Sequence, residues 1–181
     1  MNRVFWGAAF ALVFAAGCAQ TQRAADTTLA AAKAQVNPTL STTDATFMTT
    51  AARGGLAEVQ MGQLAQRNGR SEAVKRFGRH MVEHHGRSNQ EMAALAQQKQ
   101  ITPPGTMGAE QQRIYDDLSK LRGGAFDRAY AQAMVKDHQE DLRAYREEEA
   151  NGTDPDVKAF AARNVPVLQE HLRMAQRLAR R

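Results

Sequence analysis

The chain has 181 residues, about one domain's length, of which 43% are hydrophobic, 24% charged and only 6% aromatic. With 13 Gly and 5 Pro it is neither collagenous nor broadly disordered, and a single Cys excludes an intramolecular disulfide framework and a four-cysteine zinc site. Ala, Gln, Arg and Glu outweigh β-branched and aromatic residues, which favours helices over sheets, and the net charge of +5 is mild.

The N-terminus reads as an address. Arg3 supplies a positive charge, and Val4 to Ala16 is an uncharged apolar run, too short for a membrane span and suited to the core of a signal peptide. It closes on Ala15-Ala16-Gly17-Cys18, which resembles a bacterial lipobox, with Cys18 as the lipidated residue of the mature protein. No Asp follows Cys18, so the expected anchor is the periplasmic side of the outer membrane. The alternative is an ordinary secretory leader and a soluble periplasmic protein. Residues 18–43, rich in Ala, Thr and Gln without a helical apolar stripe, read as a lipidated flexible tether.

From residue 44 to residue 181 the pattern is helical. Asp44 is the expected cap of a first helix running to about Arg67 and stopping at Asn68-Gly69. Ser71 caps a second helix to about Lys99, followed by Thr102-Pro103-Pro104-Gly105. A shorter helix spans 109–121, and Gly123-Gly124 breaks it from a third long helix over 125–149. Asp154-Pro155 opens the fourth, with Pro166 expected to kink it. Arg163, Arg173, Arg177, Arg180 and Arg181 make its far end basic, as suits a helix C-terminus. No aromatics interleave these arginines, and an exported chain argues against nucleic acid as a partner.

Residues 68–77 can be laid on residues 151–160 at an offset of 83, matching Asn, Gly, Val, Lys and Phe and a capping residue. A duplicated helical hairpin follows. The middle connection of about 25 residues carries its own helix, long enough to travel back along the molecule. The expected fold is therefore all-α, a ferritin-like four-helix bundle with one long helical crossover between helices two and three, those two running parallel.

On helical wheels each long helix turns an acid or a histidine inward. Glu58 sits at the centre of a face made by Phe47, Ala51, Gly54, Gly62 and Ala65. His85 lies within the apolar face of helix two and His84 on its margin. Asp137 lies on the inner face of helix three with His138 towards its edge, and His171 lies near the middle of helix four's inner face, with Glu170 pointing away. Counted from their helix starts, His85 and His138 fall at similar heights.

Phe47 to Ala65, Val74-Lys75-Arg76-Phe77, Met81-Val82-Glu83-His84-His85, Phe126 to Tyr130, Met134 to His138 and Pro166 to His171 carry a resemblance. Over residues 47–178 the chain resembles a bacterial domain-of-unknown-function family of predicted outer-membrane, ferritin-like helical proteins. His84 stands where that family's pattern has Asp. The resemblance implies a fold and an envelope location, and no activity.

Two functions remain. Glu58, Asp137 and the histidines can form a buried ionic network that fixes helix register in a structural or partner-binding envelope module. Alternatively Glu58, His85, His138 and His171 can hold iron, copper or zinc, with His84 and Asp137 as a secondary polar network. A di-iron oxidase lacks its Glu-x-x-His signature, since Val82 and Leu168 stand three before His85 and His171. Met81 and Met134, four before His85 and His138, have the spacing for a cuprous site but read as core residues. A hydrolytic or nucleophilic enzyme finds no Gly-x-Ser-x-Gly elbow and no phosphate-binding loop.

Overall fold

A computed structural model describes residues 24, 25, 27, 28 and 40–180; the leader, Cys18 and Arg181 lie outside the described residues. Among residues 40–180 lie five helices, α1 Thr42–Asn68, α2 Glu72–Gln98, α3 Ala109–Ser119, α4 Gly123–Asn151 and α5 Pro155–Ala179. Each long helix begins on a capping side chain or at a glycine. Ser71 accepts from the Val74 amide, and Asp154 accepts from the amides of Asp156 and Val157 with Pro155 in the first turn. At α4 the chain turns through Gly123, whose φ of +63° is strained for any residue with a Cβ.

The first cap differs from the expectation. Ser41, not Asp44, is the N-cap of α1, and Asp44 is its reciprocal partner three residues on. Both are good capping residues, but only Ser41 leaves Asp44 free to close a capping box. Leu40 is already buried in the core, so packed structure starts before residue 44. Ala24, Ala25, Thr27 and Thr28 are helical, with the Thr28 hydroxyl donating to the Ala24 carbonyl. The helix of α5 runs on through Pro166, whose side chain faces solvent.

Helices α1 and α2 pack as an antiparallel hairpin, as do α4 and α5; α1 also packs on α4, and α2 on α5. The helix directions follow from contacts at the two ends. At one end the Gly69 and Gly123 backbones meet, and the Asn68 side chain donates to the Leu121 carbonyl, so α4 starts where α1 ends. At the other end Asp44 accepts from the Thr153 and Asp154 amides, and Lys99 is paired with Asp154 and Asp156. Thus α2 and α4 run parallel, and the connection carrying α3 crosses the length of the molecule. On its way α3 packs on α1 and α4.

The duplication extends beyond the matched letters. Gly69 donates to Ala65 and Gly152 to Glu148, both with nearly the same extended φ and ψ. A carboxylate from the opposite hairpin receives the following amides in each case. Asp127 takes those of Arg70 and Ser71, and Asp44, 83 positions earlier, takes those of Thr153 and Asp154. Within the first hairpin the backbones approach closely: a Cβ on Gly62 would lie 2.7 Å from the Gly78 carbonyl oxygen, and one on Gly78 would lie 2.6 Å from that of Gly62.

Buried apolar side chains form two clusters. One, around Phe47, Met92, Tyr145, Phe160 and Leu168, fills the end where α1 begins. The other, around Met61, Phe77, Met81, Phe126, Tyr130 and Met134, fills the opposite end. Met81 and Met134 are thus core residues. Along each long helix the inward polar residue lies between positions of the two clusters: Glu58 between Ala52 and Met61, His85 between Met81 and Met92, His138 between Met134 and Leu142, His171 between Leu168 and Ala175.

Candidate metal centre

A polar belt between two apolar cores is costly unless its members satisfy one another or a bound cation. Glu58 is 1% exposed, His138 fully buried, His171 1% exposed and His85 6%. Glu58 reaches two helices at once, with Oε2 at 2.6 Å from His85 Nδ1 and Oε1 at 3.3 Å from His138 Nε2. His85 Nε2 is 3.2 Å from His171 Nδ1. The four residues expected from sequence therefore converge, one from each long helix. Ligand nitrogens of His85, His138 and His171 all lie within 4.8 Å of one another, as do ligand atoms of Glu58, Asp137 and His138.

The Met134 carbonyl fixes one tautomer. His138 Nδ1 is 3.0 Å from that oxygen, which can only accept, so Nδ1 carries the hydrogen and Nε2 turns its lone pair to the centre. His138 Nε2, Glu58 Oε1 and His171 Nε2 are all buried without a hydrogen-bond partner. The first two, 3.3 Å apart, meet in one volume, an arrangement that suits a cation better than it suits the side chains alone, whereas on His171 it is Nδ1, not Nε2, that faces His85.

Burial sets the protonation. It pushes His85 down to about 3 and lowers His138, against the pull of Glu58. Burial lowers His171 as well, reinforced by the four imidazoles around it. Burial also raises Glu58 well above the usual carboxylate range, although His138 opposes the rise. The imidazoles are therefore neutral near pH 7, the form that binds metals, and Glu58 and His85 share a proton that a metal would displace.

Asp137 and His138 exchange the roles expected of them. His138 takes the fully buried position and Asp137 the half-buried one, because α4 is covered on several sides by α1, α3 and α5. Asp137 still turns in, its Oδ2 buried and unpartnered, and burial raises its carboxyl. Glu170 points outward onto Arg173 and Arg177.

Sequence reasoning missed two participants. Asp141, whose carboxyl lies over Gly54 and is raised by burial, is one turn from Asp137. His80 is one turn from His84; their rings stand 4.0 Å apart and lie 5.1 and 5.2 Å from the His171 ring. Both pairs have the four-residue spacing that puts side chains on one helix face, which was the available signal.

No curated protein matches the sequence. The fold is similar to the crystal structure of a DUF305 fragment from Deinococcus radiodurans, with a TM-score of 0.69 over 78% of this chain and 99% of that one. Identity is 14%, so the likeness concerns the fold. The family model "Domain of unknown function (DUF4142)" matches residues 28–178, and the chain belongs to that family.

Proposed function

We propose that this protein is a metal-binding envelope lipoprotein, a ferritin-like four-helix bundle whose centre holds a first-row transition ion through Glu58, His85, His138 and His171. The observation that carries the reading is the convergence of those four residues between two apolar cores, with Glu58 Oε1 and His138 Nε2 buried and unpartnered. Three imidazoles and one carboxylate suit zinc, copper or iron, and a backbone carbonyl behind His138 is the kind of outer contact that orients a ligating ring. Parallel α2 and α4, joined by a helical crossover, support the ferritin-like topology.

The envelope address rests on Arg3, the apolar run to Ala16 and the small residues before Cys18. Among the described residues no helix is long and apolar enough to cross a membrane. The test is metal content after purification without chelators. About one ion per chain, absent from Glu58→Gln, supports the proposal; an ion content unchanged in that variant counts against it.

A second reading, a structural or partner-binding module, is favoured by the 2.6 Å contact of Glu58 with His85. That pair, continued to His171, can hold register without an ion. Under that reading Glu58→Gln loses stability in a protein that never held metal.

A further inference from the structure

The inner residues leave one imidazole cluster unused. On the α2–α5 flank His80 and His84 are half-buried, whereas His171 is 1% exposed. Ligand nitrogens of the three lie within 4.8 Å of one another. His171 Nδ1 faces His85, and its Nε2 is buried with no partner. His80 also lines an open cleft of about 380 Å³, walled by Phe77, Met174, Arg76 and Arg177, the last of these paired with Glu170, so the cluster reaches solvent through His80.

We propose that His80, His84 and His171 form a second metal site, an outer capture site for a zinc or copper ion that feeds the inner one. It rests on the reading of the inner residues as a metal centre. Three imidazoles with a solvent-facing fourth position make an open coordination sphere, able to take an ion from solution and release it. A neutral imidazole gives a metal only one nitrogen. His171 therefore serves the outer site through one nitrogen and the inner site through the other, and an ion moving inward exchanges His80 and His84 for His85, His138 and Glu58. Nothing is oxidised or reduced in the transfer. The hydrogen on His171 shifts from Nδ1 to Nε2 as the ion crosses, and the proton shared by Glu58 and His85 passes to solvent as it arrives.

The test is the rate of zinc loading. The metal-free mature chain is mixed with the zinc complex of the chromophoric chelator 4-(2-pyridylazo)resorcinol, and loss of the coloured complex is followed. The wild type should take up about one zinc per chain. His80→Ala and His84→Ala should reach the same final zinc content but load roughly tenfold or more slowly, the lower end of what lost support of a metal site usually costs. His80→Cys, which restores a ligand, should recover much of the rate. Wild-type loading rates in both alanine variants would overturn the capture site and leave the inner centre standing. A wild-type chain that takes no zinc, and whose melting temperature does not rise with copper or iron either, would overturn both. Because His80 and His84 are half-exposed, each variant is a surface change, and a thermal melt without metal checks that it folds.

Discussion

The Asp44–Glu148 pair offers a sharp test of the fold's electrostatics, away from the polar belt. Asp44 receives the Thr153 amide at 2.9 Å and hydroxyl at 2.6 Å, the Asp154 amide at 3.2 Å and the Ser41 hydroxyl at 2.7 Å. Despite the cost of burial, these donors hold its carboxyl down at about 2. Glu148, 2% exposed beside it, is pushed up to about 8, first by burial and then by Asp44. A carboxyl that keeps its proton longer in the folded protein than in the unfolded chain stabilises the fold fully below its unfolded value of 4.5. That contribution is lost as pH rises through about 8. The slope is at most about 1.4 kcal/mol per pH unit. Glu148→Gln has no such proton to lose. Urea unfolding of both proteins at pH 5 and pH 8 should therefore show the variant gaining about 2–4 kcal/mol on the wild type over that interval. Other groups titrate alike in both proteins and cancel. A stability difference independent of pH would refute the assignment of a buried, protonated Glu148.

Gly62→Ala and Gly78→Ala each drive a methyl into a facing backbone carbonyl and should destabilise by about 1–3 kcal/mol. Gly86→Ala, on the same hairpin with open space around it, should instead stabilise by about 0.5–1 kcal/mol, and thermal melts of the three will show whether the signs differ. Asp44→Ala should cost roughly 3 kcal/mol by loss of charge-assisted bonds to the α4–α5 turn. Asp127→Ala, the equivalent at the α1–α2 turn but less buried, should cost about 1–2 kcal/mol, read from urea midpoints at constant slope.

Much of this architecture was legible in the sequence because its signals are local. Ser71, Asp154-Pro155 and the two Asn-Gly turns mark helix ends by backbone chemistry alone, and the offset between the turns exposes the duplication. Glu58, His85 and His171 were found because each interrupts an apolar stripe. What a helical wheel does not carry is which helix lies across from a margin. His84 stood on such a margin, and only the packing of α2 on α5 makes it and His80 neighbours of His171. The exchange of Asp137 and His138 has the same origin. Adjacent residues are about 100° apart, and the cover supplied by α1, α3 and α5 decides which is sealed. At α1 two good caps stood three residues apart, and the reciprocal bond chose Ser41.

The central claim is that the polar belt is a metal centre, and elemental analysis of the protein purified without chelators tests it most directly. The account predicts about one zinc, copper or iron per chain, lost in Glu58→Gln and in His85→Ala. An empty protein whose melting temperature does not rise on adding any of the three ions would contradict it.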